Sequence, residues 1–99
     1  MALTNAQVRQ LRALAHHLSP VVNVGRADIS DSLVRQTEQA LEAHELIKCA
    51  VQDGSDLTAR EAAEALAQQT GADVVQVIGH RFSLYRKSGR DDIEKIELV

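Results

Sequence analysis

The side chains able to do chemistry in this 99-residue chain are four histidines, a single cysteine and fourteen carboxylates. His44-Glu45 opens like the helical motif in which two histidines four positions apart hold zinc, but the second histidine position is Lys48, which is not a zinc ligand. His16, His17 and His80 have no spacing that forms a metal set with Cys49. Cys49 lies between Lys48 and Ala50 in the middle of a strand-like run, which predicts a buried structural thiol rather than a nucleophile. Gly25 stands between a strand-like run and a helix, where a phosphate loop would begin. Neither the three-glycine pattern nor the glycine-lysine-serine/threonine pattern accompanies it. No acid–base pair stands out among the carboxylates. The expectation is a protein without catalytic residues, metal or cofactor; a small hydrolase using His44 or His80 is the least supported reading.

Net charge is −3, yet the charges are segregated. Residues 1–27 carry Arg9, Arg12 and Arg26 and no acid, and residues 79–90 carry Arg81, Arg86, Lys87 and Arg90 and no acid. The acids gather in 28–78 and from Asp91 onward. Such a chain can present a basic and an acidic face on one small body. Segregation permits a polyanionic partner without requiring one, since charges also simply solvate surfaces.

The elements that must position these residues are readable. Thr4 and Gln7 form a capping box, and Val8, Leu11, Leu14, Ala15 and Leu18 recur at helical spacing, predicting an apolar stripe turned to a core. Ser19-Pro20 ends that helix. Val21–Val24 is a strand, 25–28 a loop, and Ser30 the cap of a second helix with Leu33, Val34, Thr37, Ala40 and Leu41 inward. Leu46–Val51 is a second strand. Thr58 and Glu61 box a third helix, whose inner face is Ala59, Ala62, Ala63, Leu66 and Ala67, with Gly71 as its C-terminal cap. Val74–Ile78 and Arg81–Arg86 are strands joined by Gly79-His80, a two-residue, glycine-first hairpin. The order α-β-α-β-α-β-β predicts an α/β, two-layer domain with a four-stranded mixed sheet. Right-handed crossovers place the second and third helices on one face; periodicity leaves the first helix unplaced. Phe82 and Tyr85 have opposite strand parity, so Phe82 is the expected core residue, and Tyr85 is either exposed, where it could stack on a base, or packed under the first helix, the favoured of the two.

At 99 residues the chain is one domain. With 44% apolar and 25% charged residues, it has the composition of a folded soluble domain. One cysteine precludes an internal disulfide. No apolar run is long enough to span a bilayer, and the first residues lack a signal-peptide layout. The expected setting is the cytoplasm, the expected state a monomer, and no membrane partner is expected. Residues 88–99 read as a charged C-terminal tail after the domain at 1–87, either frayed or a short addition to the body.

Three blocks are specific: Pro20-Val21-Val22-Asn23-Val24-Gly25-Arg26, Leu41-Glu42-Ala43-His44-Glu45-Leu46-Ile47-Lys48, and Val75-Gln76-Val77-Ile78-Gly79-His80-Arg81-Phe82-Ser83-Leu84-Tyr85-Arg86. Together they resemble the YhbY family, the stand-alone bacterial form of the CRM (chloroplast RNA splicing and ribosome maturation) domain, over about residues 3–87. The resemblance implies a fold like the C-terminal domain of translation initiation factor three. It also implies RNA binding, association with ribosomal RNA in precursors of the large ribosomal subunit, and no catalysis. The family's Gly-x-x-Gly loop after the first strand matches Gly25, Arg26 and Ala27, with Asp28 replacing the second glycine. A carboxylate there caps a helix but repels an approaching phosphate, and Arg26 partly offsets that.

Gly25, Arg26 and Ala27 are therefore candidate RNA contacts, with Arg81, Arg86 and Lys87 around the last strand. Lys48 either guards a sheet edge or contacts RNA. Arg9 and Arg12 share a helix face and are further candidates. The scarcity of aromatics, one Tyr and one Phe, favours structured RNA held by backbone and shape over serial base stacking. A competing reading is a protein-interaction module, with acidic helices and tail docking a basic partner such as a ribosomal protein.

Overall fold

The computed structural model describes residues 3–26 and 29–99. Its elements are α1 (Asn5–Ala15), β1 (Pro20–Val24), α2 (Asp31–His44), β2 (Leu46–Val51), α3 (Ala59–Thr70), β3 (Asp73–Ile78) and β4 (Arg81–Tyr85). Each helix begins where its capping residue requires. Thr4 and Thr58 form reciprocal boxes with Gln7 and Glu61, and Ser30 accepts from the Leu33 amide. Gly71 ends α3 in the left-handed conformation (φ 74°). Gly79 (φ 57°) is the positive-φ residue of the two-residue β3–β4 turn.

The sheet order is β1-β2-β4-β3, with β1 parallel to β2 and β4 antiparallel to both of its neighbours. Alternation along the strands divides the core in two. Val22, Val24, Ile47, Cys49, Val51, Phe82 and Leu84 face α2 and α3, meeting Leu41, Ala62, Ala63 and Leu66. Leu46, Val75 and Tyr85, of opposite parity on their strands, face α1 through Leu11 and Ala15. The first helix thus lies alone on the second face, adding a partial third layer to the two expected. Tyr85 is buried there against Leu11 and Ala15, the packed one of its two expected placements.

The stripe expected on α1 is only half realised. Leu11 and Ala15 are fully buried, whereas Leu14 and Leu18 are 42% and 38% exposed. Leu11 and Ala15 meet Leu46, Val75 and Tyr85, whereas Leu14 and Leu18 line an open groove toward β1 and the start of β2.

Residues 88–99 are not a free tail. Leu3, Ile96 and Leu98 pack against the α1 core, and α1 holds the segment at three points. The Gln7 side chain donates to the Val99 carbonyl (3.1 Å), Gln10 donates to the Glu97 carbonyl (2.7 Å), and the Val99 amide donates to Gln10 (2.9 Å). Glu42 accepts the Ser88 hydroxyl at its carbonyl (2.6 Å), and the most buried anchor is Glu45, 1% exposed. Its carboxylate accepts the Ser88 amide at 2.7 Å and the Ile96 amide at 2.8 Å. Its own amide donates to the Leu41 carbonyl and its carbonyl accepts the Arg86 amide. Glu45 is also, among the described residues, the one non-glycine at positive φ (64°), a conformation costing roughly 1–3 kcal/mol.

Replacing Glu45 with Ala leaves two tail amides without acceptors, each worth about 1–3 kcal/mol. Hydrogen exchange at Ser88 and Ile96 should accelerate by at least about tenfold, while exchange in β2 and β4 changes less. Unaltered protection at both amides would show that the carboxylate does not hold the segment.

Candidate functional site

Because α1 stops short, the half of the second sheet face nearer the β3–β4 turn is uncovered. Register defines what lies there: Lys48 opposite Ser83, Ser83 opposite Gln76, Ala50 opposite Arg81, and Arg81 opposite Ile78, with Ser83 itself buried between its neighbours. His16, one residue beyond α1, overhangs the group. His16, Lys48, Gln76, Ile78, Arg81 and Ser83 line a shallow depression of about 320 Å³. Among the described residues, neither Lys48 nor Arg81 forms an ion pair.

The placement of Lys48 and Arg81 settles one alternative. β2 and β4 are the interior strands, so neither cation guards a sheet edge. They project from the middle of the sheet onto a face with no helix above it. Interior strands rarely carry unpaired cations unless the surface beyond them is wet or occupied.

Gly25 and Arg26 are exposed at the same end of the sheet, just past β1. This end is drawn together by backbone bonds: the Gln52 amide donates to the Val24 carbonyl (2.9 Å) and the Val51 amide to the His80 carbonyl (2.7 Å). A Cβ on Gly54 would lie 3.7 Å from Arg26 Nε, so the Arg26 side chain runs beside the β2–α3 turn. Ala27 and Asp28, the rest of the expected loop, lie outside the described residues.

The other expected contacts are placed elsewhere. Arg86 is occupied within the fold. Its guanidinium donates to the Thr70 carbonyl at 2.7 Å and to Glu42 at 3.1 Å, joining α2, α3 and the end of β4. A side chain so engaged staples these elements together. Lys87 is exposed at the opposite end of the sheet, beside Lys95 and Tyr85. Arg12 donates through Nε to the Val75 carbonyl (3.2 Å), leaving the rest of its guanidinium over the β3 edge; Arg9 is exposed one turn earlier. The structure therefore brings Lys48 and Arg81 together, with Arg26 at the same end of the sheet beside the β2–α3 turn. Sequence reasoning did not select His16 or Gln76. Their available signals were the His16-His17 pair at the end of α1 and the shared parity of Gln76 with Ile78.

A CRS1/YhbY (CRM) domain model matches residues 3–86. The chain belongs to this family. It is 40% identical over 96 residues to YqeI of Bacillus subtilis (strain 168), named a probable RNA-binding protein, covering 97% of this chain and 98% of that one. It is 38% identical to a Haemophilus influenzae protein named an RNA-binding protein, covering 93% of each. Among solved structures it resembles the solution structure of the hypothetical protein SAV1595 from Staphylococcus aureus. That match has a TM-score of 0.76 and 36% identity, and covers 96% of this chain and all of the other.

The remaining chemically capable groups are quiet. Burial pushes the Cys49 thiol up to about 12, so it is protonated and unreactive at neutral pH. His80 Nε2 lies 3.6 Å from Asp53 Oδ1, and both side chains are largely exposed. No group of three His, Cys, Asp or Glu among the described residues is placed to hold a metal. No helix among them is long and apolar enough to cross a membrane.

Two outcomes follow from these placements. Arg86→Ala should destabilise the fold by about 2 kcal/mol, since it strips charge-assisted hydrogen bonds from a half-buried site, and thermal unfolding measures that loss. Cys49 should resist a maleimide at pH 7.5 in the native state and react fully in denaturant; rapid native labelling would contradict its burial.

Proposed function

We propose that this protein binds RNA, without catalysis, through the uncovered half of its sheet, with phosphates held by Lys48 and Arg81 and the rim by Arg26. The observation carrying this reading is that two unpaired cations project from interior strands onto a surface no helix covers. Two relatives, similar over nearly their full lengths, carry names as RNA binders, which supports the same reading. The partner we infer is ribosomal RNA in precursors of the large ribosomal subunit, with the protein acting as an assembly factor. That finer reading is supported by the family's character as stand-alone CRM domains.

The electrostatics fit a phosphate ligand despite the net charge of −3. At physiological ionic strength exposed charges are screened beyond about 8 Å, so a polyanion senses the nearest cations more than the total. The acidic-docking alternative is less favoured, because the segment after Ser88 is tied to Glu45 and α1 rather than extended.

The test is the salt dependence of binding to a structured ribosomal RNA fragment. Each phosphate contact contributes about one unit to the slope of log affinity against log salt. Lys48→Glu, Arg81→Glu and Arg26→Glu combined should flatten the slope by roughly two to three units and weaken binding at least about tenfold at low salt. Affinity and slope unchanged in a folded triple variant would remove this face as the site.

A further inference from the structure

A second depression lies on the other side of Lys48, between the end of α1 and the start of β1 and β2, and the charge argument leaves it unexplained. It is about 580 Å³ in volume and runs from the end of α1 toward β1. Leu14, Leu18, Val21, Leu46 and Ile96 supply its apolar walls, and His17, His44 and Lys48 its polar rim. Leu14, Leu18 and Val21 are each 38–46% exposed. Its size falls within the usual range for small organic ligands.

Lys48 lines both depressions, so the two adjoin. The end of α1 divides them, with His16 turned to the basic side and His17 to the apolar side. We infer that the apolar groove seats one unpaired nucleobase of the bound RNA while the adjoining phosphates lie on Lys48 and Arg81. This rests on the RNA-binding reading above and specifies its ligand: structured RNA with an unstacked nucleotide rather than uniform duplex.

Three observations favour a base over other occupants. No carboxylate is among the residues lining the groove, and its rim is basic or imidazole, which complements an anionic chain. A nucleotide carries its apolar ring and its anionic phosphate a few ångströms apart, as the two depressions sit on either side of Lys48. A second copy of this chain fits less well, because a two-fold contact here would face the groove with another copy of itself, which has no carboxylate to meet Lys48. The protein's own C-terminal segment already forms one wall through Ile96. The histidine rings supply flat surfaces for stacking where the chain lacks tryptophan and has one tyrosine, itself buried.

The test compares two synthetic RNA hairpins that differ at one position, a bulged uridine in one and an abasic residue in the other. With the unmodified protein, the abasic hairpin should bind about tenfold more weakly, with the same salt slope. Leu14→Ser combined with Val21→Thr should erase that difference while keeping the slope; both residues are exposed, and the comparison on the unmodified protein requires no variant. Equal affinity for the two hairpins, with salt-sensitive binding retained, overturns the groove proposal and leaves the RNA-binding reading standing. A preference for the bulged uridine that survives in the folded double variant also overturns it. Absence of salt-sensitive binding to either hairpin overturns both.

Discussion

The arrangement turns on the buried carboxylate of Glu45. It sits where α2 gives way to β2 and holds a positive φ that a side-chain-bearing residue adopts at a cost. Three separate parts of the chain converge on it: the last turn of α2 through its amide, the residue after β4 through its carbonyl, and residues 88 and 96 through its oxygens. A buried carboxylate is tolerable only when its lone pairs are used, and here two amides use them. Glycine would take the φ more easily but would supply no acceptor for the returning chain. The strain and the hydrogen bonds are thus two sides of one constraint.

The second consequence of that convergence is what remains uncovered. With the C-terminal segment held along α1, the second face of the sheet is closed at one end by Leu3, Leu11, Ala15, Ile96 and Leu98. The other end has no cover because α1, roughly 16 Å long at about 1.5 Å per residue, meets the sheet at its Leu46, Val75 and Tyr85 end. The candidate site is therefore set by where α1 docks: Lys48, Gln76, Ile78 and Arg81 lie on the same face, displaced toward the β3–β4 turn.

Much of this was legible in the chain. The caps at Thr4, Ser30, Thr58 and Gly71 and the extent of β2 follow from local rules whose physics involves only a few neighbouring residues. Strand parity placed Phe82 and Tyr85 on opposite faces. What local rules do not carry is which strands are interior. Lys48 reads equally as an edge guard until β2 is known to lie between β1 and β4. Arg86 reads as one more surface cation until Thr70 and Glu42 are brought to it from two helices. Leu14 and Leu18 fit the helical stripe perfectly well, but a stripe reports periodicity, not the length of the surface beneath it. Glu45 was the least visible of all, because beside His44 and before Lys48 it resembles the remnant of a metal motif. Its role lies in residues more than forty positions away.

The same long-range logic explains why an acidic chain can carry a basic face. Arg60 and Glu64 pair along α3, Arg90 with Asp92 and Lys95 with Asp91 in the C-terminal segment, and Arg86 with Glu42 inside the fold. Each pairing removes one cation from the field beyond its own neighbourhood, and most of the acids lie on α2, α3 and the C-terminal segment. Lys48 and Arg81 escape neutralisation because their opposite partners are Ser83, Ala50 and Ile78, none of them acidic. The sheet register, rather than the composition, thus decides where positive potential survives. A two-cation surface of this size supplies only a few phosphate contacts and so only part of an affinity. Any selectivity must come from the uncharged remainder of the same face, which is where the apolar walls beside Lys48 acquire their meaning.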